Sequence, residues 1–397
     1  MKIQDLIALS ELATKKSQHY PIKRDLFTQL ARFKGRHFTG LIGPRGVGKT
    51  VLLQQLAASL PDAFYLSTDT LPQEEDIFEI IHRLSAQFHY RYFFLDEVHH
   101  AKEATGMLKK VYDFLDIHVL FTSSVALAME ASRHDLSRRV QLLTLRTFSY
   151  REYLRIVQHI DLPPLTLTDI LQEKWLPEHL RAGRHFDDYL CGGNLPLSLE
   201  EADPLPLLTN IRDKIIGRDI PLIVRLAVDE LDVLQRMLRF IGRSEVDGIN
   251  YSSLSRNLGI TKYKAAQYVE SMEQAFVLHR VFPAGTNVLR EPKVLMMPPY
   301  RLLYREPEDA LGGLREDFCV EALTQAGYKI AYLKSARGAK TPDYIIDVND
   351  KRLAVEIGGS GKGHKQFKGI QADHKLVFAH QPAPEGGRLP LFFLGLT

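Results

Sequence analysis

Cysteine is nearly missing from this 397-residue chain: there are two, Cys191 and Cys319, and no C-x-x-C pair. That scarcity excludes a disulfide framework and a thiolate zinc site, and it suits a reducing compartment. Histidine is not scarce, at fifteen, yet none falls in an H-E-x-x-H or comparable ligand spacing. His99 and His100 therefore read as helix-start residues rather than ligands. Long apolar runs are also lacking: nothing approaches the ~20 consecutive apolar residues of a membrane span. The opening MKIQDLIALSELATKK has neither the uninterrupted apolar centre nor the cleavage site of a secretory signal. No membrane partner is expected, and a cytoplasmic location is.

Apolar residues make up 45% of the chain and charged residues 25%, the proportions of a soluble globular protein. The length allows about two to four domains. Net charge is only +3, but it is unevenly spread. Residues 1–49 hold ten Lys/Arg against three Asp/Glu, residues 60–104 hold three against nine, and residues 252–305 hold eight against three. Basic faces alternating with an acidic one suit a polyanion partner or head-to-tail packing of identical subunits.

The most specific segment present is LIGPRGVGKT, Leu41 to Thr50, which fits G-x-x-x-x-G-K-[ST] after an apolar run. Gly43, Gly46 and Gly48 allow a tight nest of backbone N–H groups, completed by Pro44, Arg45 and Val47. Lys49 is expected to reach the β- and γ-phosphates of ATP, and Thr50 to offer its hydroxyl to Mg²⁺. The following VLLQQLAASL has helical spacing, so a helix N-terminus faces the phosphates. A second half of the site lies at YFFLDEV, Tyr92 to Val98, an apolar strand ending in two acids. Asp96 is expected to hold Mg²⁺ and Glu97 to polarise the water that attacks the γ-phosphate.

A third strand, HVLFTSS, ends in hydroxyls; Ser124, with Ser123 next, is the expected sensor of the γ-phosphate. Downstream, HDLSRRVQLLTL sets Arg138 and Arg139 before another strand, where an arginine finger would reach a neighbouring subunit's nucleotide. Strand and helix signals alternate to about Leu145, as in a parallel sheet covered by helices. Helical periodicity follows, broken by DLPPL and by the glycines of YLCGGNLP. INYSSLSRNLGITKYKAAQYVESMEQ then reads as two helices joined at Gly259, and the apolar strand after it suggests a winged helix. Lys262 and Lys264 fall early on its second helix, where DNA readers place contacts. The prolines Pro298 and Pro299 suggest a boundary. The last ninety residues read helix, strand, strand, helix, strand, with KQFKGIQA opening the second helix. Glu316, Asp343 and Glu356 are acids arranged to converge on a hard divalent cation.

In order, GPRGVGKT, FFLDEVHH, FTSS, DLSRRV, TFSYREYL, FDDYLCGGNLP and PDY…VEIGG resemble a family of stand-alone prokaryotic AAA+ ATPases. The resemblance covers nearly the whole chain. It implies an α/β fold: N-terminal helices at 1–35, a P-loop AAA+ parallel-sheet core at 36–149, a helical lid at 150–238, a winged helix at 239–300 and a restriction-endonuclease-like α/β domain at 301–397. It further implies a homo-oligomeric ring, a hexamer being one such size, in which one subunit's arginine completes the next subunit's site. By that alignment Arg139 matches the family's arginine, while Arg138 stands where relatives often carry glycine.

The tail resembles the PD-(D/E)xK nuclease fold, with Asp343 as first acid, Glu356 as second and Glu316 as the helical acid. These would hold a second Mg²⁺ or Mn²⁺. The lysine expected two residues after Glu356 is Gly358, with Lys362 or Lys365 as substitutes from the next segment. Its absence argues for a fold that does not cut. Three functions are thus in competition: an ATPase that remodels or moves DNA, an ATP-dependent switch or scaffold acting on proteins, and an ATP-gated metal-dependent nuclease.

Overall fold

The computed structural model describes the chain except residues 1, 33–34, 73, 124–135, 137, 223, 225, 247, 286–290, 334–340 and 360–363; of 222, 228, 229, 364 and 365 it describes only the backbone. Two units are present, residues 1–146 and 147–397.

Five parallel strands build the first unit: β1 (Phe38–Ile42), β2 (Ala63–Ser67), β3 (Tyr92–Asp96), β4 (His118–Ser123) and β5 (Val140–Thr144). Their order across the sheet is β2-β3-β4-β1-β5. β2, β3 and β4 are apolar on both sides because both faces are covered, as parallel sheets require, whereas the edge strand β5 is only half-buried. Phe64, Leu66, Phe93, Leu95, Val119 and Phe121 pack with helices α4 (Ile77–Phe88) and α5 (Ala104–Phe114). Their alternate neighbours Tyr65, Phe94 and Leu120, together with Leu41, pack with α3 (Lys49–Ala58) and the short α2 (Leu26–Leu30). At Gly40, in the middle of β1, a Cβ would lie 2.6 Å from Leu142 and 2.8 Å from Phe121, so only glycine lets the strands close. The edge strand β2 is protected by α1 (Ile3–Lys16), whose Ser10 hydroxyl accepts from the Tyr65 N–H at 2.9 Å.

All five strands run the same way, so their C-terminal ends share one edge. The loop after β1, the turn after β2, the acids closing β3 and the hydroxyls of β4 therefore meet there. Because β1 lies between β4 and β5 while the chain leaves it for β2, this edge is also where an open α/β sheet forms its ligand crevice.

In the second unit the buried residues form two large cores. One joins Phe148, Tyr150, Tyr153, Phe186 and Tyr189 to Phe318, Phe378 and Phe392. Phe186 meets Phe318 edge-on at 4.9 Å, and Tyr150 meets Phe392 at 6.0 Å. These aromatics cover a five-stranded mixed sheet, β12-β11-β10-β9-β8, built from β8 (Ile330–Ala331), β9 (Tyr344–Val348), β10 (Lys351–Gly358), β11 (His374–Ala379) and β12 (Arg388–Pro390). The other core joins residues 195–304. It contains the helices Val228–Arg243, Tyr251–Leu258 and Lys262–Gln274 and an antiparallel pair, β6 (Leu278–Val281) with β7 (Lys293–Met296).

The segment 150–238, expected as one lid, divides between these two cores. Helical periodicity reveals that a face is buried, not which element buries it. Where the sequence suggests a boundary, Pro298–Arg301 forms a buried helical turn. Arg301 is fully buried there, paired with the buried Asp317 and donating to the Gly242 and Ser244 carbonyls at 3.3 and 3.2 Å. The helix expected to open at KQFKGIQA is a short 3-10 turn, His364–Phe367, followed by Gly369 in the left-handed region at φ 78°.

Candidate functional site

Gly43, Gly46 and Gly48 take φ values of 150°, 78° and 83°, which turn the loop's backbone back on itself ahead of α3. A Cβ on Gly43 would lie 1.9 Å from the Leu145 carbonyl oxygen, so no side chain fits. Val47 is buried in the core and anchors the loop from beneath. Lys49 is buried, and its Nζ donates to the Gly43 and Pro44 carbonyls at 2.9 and 2.7 Å, which holds the ammonium over the loop. Thr50 follows in the first turn of α3. Arg24, from the segment before α2, is also buried; its two Nη atoms donate to the Val47 and Arg146 carbonyls, each at 2.9 Å. It braces the loop against the end of β5. No motif marks it, because an arginine that binds carbonyls has no fixed spacing.

Asp96 closes β3, 2% exposed and held on both carboxylate oxygens. The Tyr65 hydroxyl donates to Oδ2 at 2.9 Å and the Thr122 hydroxyl to Oδ1. Burial first, then the Asp96 charge, pushes the Tyr65 hydroxyl well above the usual phenol range, so it stays a donor. The backbone of Glu97 is in the left-handed region, at φ 52°. Its N–H donates to the Thr122 hydroxyl at 2.9 Å, and its carbonyl accepts from the Thr68 hydroxyl at 2.8 Å. The next three residues, Val98–His100, form a 3-10 turn anchored by the fully buried Val98. Glu97, His99 and His100 end up together, with one potential ligand atom from each inside 4.8 Å of the others. By sequence both histidines read as helix-start residues, and they lie in this short 3-10 turn, which also sets them beside the Glu97 carboxylate.

Ser124, the expected sensor, lies outside the described residues. Ser123 is buried beside Ile42, the residue before the loop. The hydroxyl that touches Asp96 is that of Thr122. Arg139 sits just ahead of β5, its backbone carbonyl accepting from the Phe38 N–H at 2.8 Å. Its guanidinium grips Asp113 with Nε and Nη2 at 2.9 and 3.0 Å and lies 5.7 Å from the Tyr112 ring centre. Phe38 opens β1 and the phosphate loop leaves its far end, about 13 Å along the strand at ~3.3 Å per residue. Arg138, beside it, is exposed.

In the second unit, Lys262 and Lys264 open the Lys262–Gln274 helix after the left-handed turn at Gly259 (φ 67°). Both are exposed and both are paired: Lys262 Nζ with Glu291 at 2.8 Å, and Lys264 Nζ with Glu230 at 2.6 Å. Tyr263 between them is 78% exposed.

The acids of the tail sit in one neighbourhood. Glu316 accepts from Lys293 Nζ at 2.6 Å and from the Tyr344 hydroxyl at 3.1 Å, while Asp343 accepts from the Ile357 N–H at 2.7 Å. Burial, then the Glu316 and Glu356 charges, pushes the Asp343 carboxyl up to about 7, against the pull of Lys293. Glu356 is 1% exposed. Glu316, Asp343 and Glu356 do not form a group whose ligand atoms all lie within 4.8 Å of one another; among the described residues only Glu97, His99 and His100 do. The ammonium beside the acids comes from Lys293 on β7, which sequence reasoning missed because it lies 50 residues before Asp343. Lys362 lies outside the described residues, as does the side chain of Lys365. Among the described residues no helix is long and apolar enough to cross a membrane.

Residues 35–154 match the family model described as an AAA domain, and residues 183–297 match a domain of unknown function, DUF8612. The stretch around the phosphate loop is thus similar to AAA domains, which supports a nucleotide-dependent function for it. An uncharacterized protein of Methanocaldococcus jannaschii is 23% identical over 94% of this chain and 87% of its own length. Among solved structures, the Aeropyrum pernix ORC1 protein in complex with DNA aligns with 79% of this chain and 94% of its own at 12% identity, with a TM-score of 0.29. PCH-2 of C. elegans aligns with 38% of this chain and 43% of its own at 18% identity, with a TM-score of 0.24. At scores that low, neither likeness bears on the function of this chain.

Proposed function

We propose that the AAA domain binds ATP with Mg²⁺ and hydrolyses it, and that the chain couples hydrolysis to remodelling or moving DNA. The observation that carries this reading is the placement of Glu97: its backbone is fixed by Thr68 and Thr122 at the end of β3, on the sheet edge that also bears the phosphate loop. The left-handed glycines, the buried Lys49 and the Asp96 carboxylate fit a phosphate chain and a hard cation. Mg²⁺ when bound neutralises phosphate charge, and Thr50 and Asp96 are the residues to hold it. The nest N–H groups and Lys49 orient the phosphates and compensate their charge. Glu97 takes a proton from the attacking water, and Tyr65 and Thr122 keep the Asp96 carboxylate aimed.

Arg139 lies at the end of the sheet away from its own phosphate loop. If it or Arg138 serves a nucleotide, that nucleotide belongs to another copy of the chain, which supports a homo-oligomeric ring. The basic region 252–305 and the Gly259 helix pair support a winged helix that meets DNA phosphates. For the tail, a non-cleaving fold is the better reading, because Lys293 and Glu316 occupy each other. DNA cutting in Mg²⁺ or Mn²⁺ that Asp343→Ala abolishes would overturn it.

A second reading, an ATP-dependent switch acting on proteins, is favoured by one observation: Lys262 and Lys264 are already matched by Glu291 and Glu230. The discriminating experiment is the steady-state ATPase rate with single-stranded, duplex and branched DNA. Stimulation is expected for the DNA reading. A rate indifferent to every DNA would favour the switch.

A further inference from the structure

We propose that Glu97, His99 and His100 form a binding site for a borderline transition-metal ion of the Zn²⁺ class, separate from the Mg²⁺ position at Thr50 and Asp96. The His99 Nδ1 and Glu97 Oε2 atoms are 3.3 Å apart. Ligands ~2.0–2.1 Å from one tetrahedral ion are separated by about 3.4 Å, so this pair already has the spacing of two ligands on a shared metal. The His100 ring lies 4.3 Å from that of His99, and a nitrogen on it is inside the same 4.8 Å group, so a rotation about its side-chain bonds brings in a third donor.

The backbone is built to hold this geometry. Glu97 is turned back by its left-handed φ, pinned through its N–H and its carbonyl by Thr122 and Thr68, and followed by a 3-10 turn rooted in the core at Val98. The side chains of His99 and Glu97 are 8% and 23% exposed, so the site is sheltered but open to an ion. Two imidazoles and one carboxylate are the donor set of an open three-ligand zinc site with a fourth position for water. The same set is poorly suited to Mg²⁺, which prefers oxygen in octahedral array. The two ions therefore sort to adjacent but different residues.

Occupancy engages the Glu97 carboxylate, so that it no longer accepts a proton from water. The ion would act as a brake on hydrolysis. This last consequence rests on Glu97 being the hydrolytic base; the metal site itself does not.

The test is equilibrium dialysis of the full chain against Zn²⁺, with Co²⁺ substitution followed by its visible ligand-field absorption, for the unaltered protein, His99→Ala, His100→Ala and, as a control away from the site, His82→Ala. Changes outside a metal's ligand set already cost about 10–100-fold in affinity, so loss of either imidazole should cost at least about tenfold. His82→Ala should match the unaltered protein. Equal affinities in all four proteins, or no retained metal, would overturn the site, and His100→Ala keeps the test secure because that side chain is only half-buried. The ATPase rate with Zn²⁺ is then divided by the rate without it for each protein. Slowing in the unaltered protein that is lost in His100→Ala and reversed by a chelator supports the brake, since depletion of ATP by Zn²⁺ would affect both proteins equally. Metal bound at these residues with no slowing would leave the site standing and overturn the role given to Glu97.

Discussion

In the proposed mechanism Lys49 and Glu97 divide nucleotide binding from hydrolysis, and their substitution should separate the two. Lys49 supplies positive charge from a buried position, so Lys49→Ala is expected to abolish nucleotide binding, measured with a fluorescent ATP analogue. Glu97→Gln keeps the shape and the hydrogen-bonding capacity but not the base, so binding is retained while turnover falls by at least about 100-fold. Near-normal hydrolysis by Glu97→Gln would remove that residue from the mechanism. Thr122 is a subtler case. Its hydroxyl bridges the Asp96 carboxylate and the Glu97 N–H, and Thr122→Val leaves both without it. An unmade buried hydrogen bond costs about 1–3 kcal/mol, so kcat should drop by roughly 5- to 150-fold with the Kd for nucleotide little changed; an unaltered kcat would reduce Thr122 to packing. The phosphate loop and the paired acids were readable from sequence because their chemistry demands fixed spacing. Thr122 was not: it faces Asp96 only through the pairing of Leu95 with Phe121 across β3 and β4, and register between strands leaves no local trace. Tyr65, which reaches Asp96 through the pairing of β2 with β3, was hidden for the same reason, and Arg24 because an arginine that binds carbonyls keeps no fixed spacing.

Among the elements, the Lys262–Gln274 helix carries the sharpest expectation. Each lysine that neutralises a duplex phosphate adds about −0.9 to the slope of log affinity against log salt. The double variant Lys262→Ala, Lys264→Ala should weaken duplex binding at low salt and flatten that slope by up to about 1.8. Surface ion pairs such as those with Glu291 and Glu230 are worth only ~0–1 kcal/mol, so phosphates can displace the carboxylates. Unchanged affinity and slope would assign the helix to packing. The two helices and the turn were legible because Gly259 interrupts the helical pattern and suits a left-handed turn; the caps at Asn250 and Thr261 are seen only in the fold. Their acidic partners were not, because Glu291 and Glu230 lie 29 and 34 residues away. The same limit explains the lid. The residues from Tyr150 to Tyr189 show helical periodicity, but only the fold reveals that their aromatics are buried with Phe318 and Phe392.

For the molecule as a whole, assembly and coupling are the remaining expectations. Arg139 stands away from its own phosphate loop, so a mixture of Arg139→Ala with Lys49→Ala subunits should recover part of the activity that each lacks alone, at interfaces pairing an intact arginine with an intact loop. A chain that stays monomeric with ATP and is fully active would remove the shared site. The proposed function depends above all on coupling between nucleotide and DNA, and that coupling is reciprocal: if DNA changes the handling of ATP, the bound nucleotide must change the affinity for DNA. It is read most plainly from the Kd for duplex DNA of the Glu97→Gln chain, which holds ATP without consuming it, in ATP and then in ADP at fixed salt. The two affinities are expected to differ by at least about fivefold, the lower end of ordinary coupling between sites. Equal affinities in the two nucleotides, or no DNA binding in either, would refute the coupling.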